Sequence, residues 1–96
     1  MMRLRLSPEA KEDIYRIHEF GSTRYGVPHA DAYVDELLEA LRKVEQYPFA
    51  SRERTETQPP VRVRPCGAHN ICYREADGTL WVIRILHHAV DWMTEL

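Results

Sequence analysis

Pro65-Cys66-Gly67-Ala68-His69-Asn70-Ile71-Cys72-Tyr73-Arg74, followed after a turn by Trp81-Val82-Ile83-Arg84-Ile85-Leu86-His87-His88, is the stretch that decides the fold. Ile71 and Tyr73 alternate with Cys72 and Arg74, the two-residue period of a strand. Ala76-Asp77-Gly78 supplies the turn, because Asp-Gly tolerates the positive φ angles of a tight hairpin. The second strand is apolar on both faces except at Arg84, which places it centrally with cover on both sides.

Working outward toward the N-terminus, Val61-Arg62-Val63-Arg64 alternates in the same way and leads into the hairpin. Phe49 to Pro60 has no periodicity and reads as a polar, solvated connection. Before it, Ala30, Tyr33, Val34, Leu37, Leu38, Leu41 and Val44 mark the apolar face of a helix that Tyr47-Pro48 ends. An earlier helix starts at Ser7-Pro8-Glu9, with Ser7 as cap and Pro8 in the first turn, and Glu9, Glu12 and Asp13 complementing its dipole. Ala10, Ile14, Ile17 and Gly21 form its buried stripe, and Tyr25-Gly26-Val27-Pro28 breaks it from the next helix. Met2-Arg3-Leu4-Arg5-Leu6 is a short first strand. The resulting order, β-α-α-β-β-β, is an α+β plan: a helical hairpin packed on one face of a small, largely antiparallel sheet, in one domain spanning residues 1–96.

Composition narrows the function. A hydrophobic fraction of 44% with 29% charged residues is that of a soluble globular chain. No apolar run approaches the roughly 18 residues of a membrane span, and Arg3, Arg5 and Glu9 interrupt any leader-like start, so a cytoplasmic location is expected. Two cysteines, Cys66 and Cys72, suit a reducing compartment. The net charge of −2 argues against gripping DNA or RNA in bulk, so no direct DNA binding by the chain alone is expected. Charge is unevenly distributed, however: all six basic residues after position 47 are arginines.

These residues resemble the ParE branch of the RelE/ParE toxins of bacterial toxin–antitoxin modules, over nearly the whole chain. The resemblance rests on Leu6-Ser7-Pro8-Glu9-Ala10, Tyr25-Gly26, Tyr47-Pro48, and above all on Arg62, Gly67-Ala68-His69, Ile71-Cys72-Tyr73-Arg74, and Ile83-Arg84-Ile85-Leu86-His87 with Asp91. Cys72 and Arg64-Pro65 depart from the usual pattern, where larger apolar residues are common. The resemblance implies a toxin neutralised by a cognate ParD-like antitoxin through an acidic, partly apolar C-terminal segment. It further implies that the target is DNA gyrase, reached by protein–protein contact, with RelE-type ribosome-dependent cleavage of mRNA as the alternative.

Three sets of residues carry these expectations. Arg62, Arg64, Arg74 and Arg84, with Val82 and Leu86, are expected to form an antitoxin-binding stripe on the sheet face away from the helices. Arginine forks carboxylates and lies flat on apolar surface, which suits an acidic and apolar peptide. Under the ribonuclease alternative, His88, Arg64 and Tyr73 would be the catalytic candidates. His69 and His87, at positions of the ParE-like signature, are expected to be buried and hydrogen-bonded. Trp92, Met93 and Leu96 either fold back as core or form a target-binding tip. Cys66, His69 and Cys72, with His87 or His88, are poorly spaced for zinc, so neither metal nor cofactor is expected.

Overall fold

The computed structural model describes residues 2–96. The elements are β1 (Arg3–Leu6), α1 (Pro8–Tyr25), α2 (Val27–Gln46), β2 (Glu53–Arg54), β3 (Val61–Cys66), β4 (His69–Ala76), β5 (Thr79–His87) and α3 (Trp92–Glu95). One sheet runs in the order β1-β5-β4-β3-β2. β1 pairs with β5 in parallel and every other pair is antiparallel. The α+β plan holds, with two additions. The polar loop carries a two-residue strand, Glu53–Arg54, paired with Val61 and Arg62, and the tail forms a short helix.

Local chemistry explains the boundaries. The Ser7 hydroxyl accepts the Ala10 N–H at the start of α1 and donates to the Ile83 carbonyl, tying the cap to the sheet. Gly26, at φ +94°, makes the sharp break that lets α2 fold back along α1. The two helices approach closely at Gly21, where an added Cβ would stand 3.3 Å from the Ala30 Cβ.

The main core lies between the helices and the sheet. Ala10, Leu37, Leu41 and Val44 pack on Ile71, Tyr73, Leu80, Val82 and Ile85. A smaller cluster covers the other face: Val61, Val63, Cys72 and Leu86 under Ile83 and Trp92. β5 is therefore central and covered on both sides, the second cover coming from the tail. A β-bulge makes this possible. Cys72 pairs with Arg84 but Tyr73 pairs with Val82, leaving Ile83 as the extra residue. The phase of β5 shifts there, so Val82 and Ile85, three positions apart, both point to the helices.

Candidate partner-binding site

Four residues of β1 cannot flank nine of β5. β1 pairs only with Thr79 to Val82, and the chain then turns into α1 at Ser7. Among the described residues, no strand flanks the C-terminal half of β5 on that side. α1 fills part of the space with Asp13, whose carboxylate accepts the Ile85 N–H at 2.9 Å and both Nε and Nη2 of Arg84 at 2.8 and 3.0 Å. Asp13 is 7% exposed and, among the described residues, is the buried charged one. The forked pair, with a backbone donor on the same oxygen, satisfies a buried carboxylate that would otherwise be costly. The bond to Asp13 also raises the Arg84 pKa above its ordinary value.

Beyond Asp13 the open edge of β5 borders a cleft of about 650 Å³. Ile17, Phe20 and Gly21 of α1, Tyr25 at the helix junction, and Ala30 and Tyr33 of α2 form one wall. Ala68, His69, Ile85, Leu86 and His87 form the other. Phe20 and Tyr25 are 63% and 62% exposed, large apolar surface left in water at the rim.

A polar cluster closes one end. The Tyr33 hydroxyl accepts the Ala68 N–H at 3.0 Å and is hydrogen-bonded to His69 Nδ1 at 2.6 Å. The His69 ring meets His87 edge-on at 5.5 Å, and His87 stacks on His88 at 4.4 Å. Burial, together with His87 and His88, lowers the His69 pKa, and burial raises that of the Tyr33 hydroxyl. His69 is half-buried and hydrogen-bonded, near to expectation. His87 is not: it is exposed, and its Nδ1 accepts the Ala89 N–H just outside β5.

The expected arginine stripe does not form as one surface. Arg62 pairs with Tyr73 and Arg64 with Ile71, both core residues of the helix side, so these two arginines lie on that side. Arg62 is spent locally, donating to the Ser51 carbonyl and lying 5.0 Å from the Phe49 ring centre. Val82 is 0% exposed and faces the helices, where the bulge turns it. Leu86 is buried under the tail, and Arg84 reaches round the open edge to Asp13. Arg74 stays on the helix-free face, across from Trp81. The ribonuclease candidates do not assemble either, because Tyr73 is buried with its hydroxyl donating to the Pro48 carbonyl. His88 lies past the end of β5, and Arg64 stands beside Ile71.

The tail divides. Trp92 packs against Val61, Val63, Cys72 and Leu86, whereas Met93 and Leu96 are 45% and 38% exposed. The Arg54 guanidinium lies 5.9 Å from the Trp92 ring centre, and Glu95 is 3.9 Å from Arg84. Cys66 and Cys72 pack on opposite sides of the sheet, so the Cys-His-Cys spacing does not converge. Among the described residues no group of three or more His, Cys, Asp or Glu is placed to hold a metal. No helix among them is long and apolar enough to cross a membrane.

A solved structure described as the chromosomal ParDE TA system from P. aeruginosa superposes with a TM-score of 0.81 at 20% identity. The match covers 91% of this chain and 96% of that one, which makes the fold that of RelE/ParE-type toxins. The family model described as the ParE toxin of the type II toxin–antitoxin system, parDE, matches residues 4–92. Toxin ParE1 of Mycobacterium tuberculosis is 33% identical over 90 residues, covering 93% of this chain and 92% of that protein. Toxin ParE1 of Caulobacter vibrioides is 28% identical over 91 residues, covering 95% and 94%. The chain belongs to the ParE toxin family.

Proposed function

We propose that this chain is held inactive by a ParD-like antitoxin, whose C-terminal segment seats apolar side chains in the cleft between α1, α2 and the open edge of β5. The observation that carries this reading is the exposed Phe20 and Tyr25 at the mouth of an apolar cleft of about 650 Å³. Surface of that kind on a small domain is an interaction site. Binding there stabilises the folded toxin by mass action. Freed of the antitoxin, the chain acts by contact with DNA gyrase, presenting the exposed Met93 and Leu96 of the tail. Contact is favoured over chemistry because the Tyr73 hydroxyl is engaged with Pro48 and has no reach to a substrate.

The test is induction of the chain in bacteria without an antitoxin, followed by pulse-labelling of DNA and protein synthesis. DNA synthesis is expected to fall first, with gyrase-linked DNA breaks. Protein synthesis stopping first overturns the gyrase reading in favour of RelE-type mRNA cleavage. In a co-purification arm, Phe20→Glu is expected to lose at least tenfold in capture by the antitoxin encoded beside the gene while still arresting growth. Undiminished capture removes the cleft from the interface.

A further inference from the structure

The helix-free face of the sheet carries its own charge pattern, which strand register exposes. Arg5 pairs with Trp81 and Trp81 with Arg74. One step beyond the Arg62–Tyr73 pair, Arg74 stands beside Val61, which pairs with Arg54. The row in register reads Arg5, Trp81, Arg74, Val61, Arg54, with Arg3 two residues along β1 from Arg5. Trp92 of the tail covers its far end at Val61 and stands beside Arg54, leaving Arg3, Arg5, Trp81 and Arg74 clear of the tail. None of Arg3, Arg5, Arg54 and Arg74 lies within 4.0 Å of a carboxylate among the described residues. The acidic strand residues Glu53 and Glu75 pair with Arg62 and Leu80, and so lie on the helix side.

We propose that the β1-β5-β4 part of this face docks single-stranded nucleic acid, with phosphates on Arg3, Arg5 and Arg74 and an unpaired base stacked on Trp81. Strands about 4.8 Å apart put Arg5 and Arg74 roughly 10 Å apart with the aromatic ring between them, and Arg3 lies about 7 Å along β1 from Arg5. Cationic grips alternating with an aromatic platform are how single strands are held without sequence selection. An acidic peptide with apolar side chains fits less well, because the apolar patch on this face is already covered by Trp92. A duplex has no unpaired base to offer Trp81. The overall charge of −2 is no obstacle. Nine of the fifteen acidic residues lie in α1 and α2, on the opposite face of the sheet, and Glu95 of the tail is held at Arg84 rather than at the row. Nothing in the row selects a 2′-hydroxyl, so DNA and RNA of one sequence bind within a few-fold of each other.

The experiment is fluorescence anisotropy of the whole chain with a labelled twelve-nucleotide oligothymidylate. Three phosphate contacts predict an affinity loss of roughly twentyfold between 50 and 200 mM salt. In the Arg5→Gln/Arg74→Gln double variant that loss shrinks to about threefold, with urea unfolding and antitoxin capture unchanged. Trp81→Leu costs about tenfold on the oligothymidylate and nothing on an abasic oligomer of equal length, and Trp81→Phe restores most of it. No binding at 50 mM salt, an unchanged salt slope in the double variant, equal affinity for duplex, or displacement by polyglutamate at equal charge overturns the proposal. If oligonucleotide binding fails while antitoxin capture and growth arrest persist, only this inference falls, and the toxin reading stands.

Discussion

Tyr33 is the pivot of the cleft's polar end. Its hydroxyl takes the Ala68 N–H, is hydrogen-bonded to His69 Nδ1 at 2.6 Å, and has the Cys66 carbonyl as a further acceptor at 3.5 Å. Gly67 is required beside it. At φ +56°, an added Cβ would stand 2.8 Å from the Tyr33 hydroxyl oxygen. His69 faces Tyr33 of α2, His87 and His88 at the end of β5, and the more distant Asp13 of α1. Burial and the two histidines outweigh the carboxylate, so its folded-state pKa lies below the unfolded value near 6.5. Between those two values the unfolded chain binds more protons than the folded one. The stabilisation from neutral His69 is therefore complete above about pH 6.5 and is lost as pH falls through the folded pKa. Urea midpoints measured from pH 7.5 to 5 are expected to fall in the native chain and to flatten over that window in His69→Gln. Parallel curves for the two would show that His69 is not the titrating group.

At the scale of elements, Asp13 decides how α1 meets the sheet. The short β1 leaves Ile85 with an edge N–H, and α1 brings a carboxylate to it where another fold would bring a strand. Asp13→Ala strands the Ile85 N–H and leaves the Arg84 guanidinium only its 3.9 Å contact with Glu95. It should cost about 3 kcal/mol, a large fraction of the stability of a domain this size. Asp13→Ala/Arg84→Met removes the orphaned charge but not the orphaned N–H, and should recover more than about 1 kcal/mol. Chemical denaturation of the four chains of that cycle measures both; equal losses in the single and double variants would deny the coupling. This junction was not legible in the sequence. As the sixth residue of α1, Asp13 looks like a dipole partner, and only the length mismatch of β1 and β5 makes it a core residue. The hairpin, the helix caps and the buried faces were legible, because period and turn chemistry are local. The faces of Arg62, Arg64 and Val82 were not. They depend on a bulge at Ile83 and on strand order, and one extra residue reverses every assignment beyond it.

For the molecule as a whole, the sheet is a partition with unequal covers. The helical hairpin buries one side, while the other relies on six residues of tail laid over Val61, Val63, Cys72 and Leu86. The tail is held by Trp92, by Arg54 beside its ring, and by the long-range pair of Glu95 with Arg84. Glu95 thereby joins the tail to the Asp13 junction, since Arg84 touches both carboxylates from one guanidinium. The thiols report on this cover directly. Burial pushes the Cys72 thiol up to about 11 and leaves it 0% exposed, whereas Cys66 is half-exposed on the helix side. Only the thiolate reacts, so a thiol reagent at pH 8 should label Cys66 and leave Cys72 protected in the native chain. Removing Trp92 to Leu96 should bare Cys72 and raise its labelling rate at least tenfold, read by mass spectrometry of the two peptides. The Cys66 rate should hold constant, because the helical side is untouched, and that constancy separates local uncovering from general unfolding. If Cys72 stays protected after truncation, the sheet face is closed by its own strands, and Trp92 is free to serve the same contact as Met93 and Leu96.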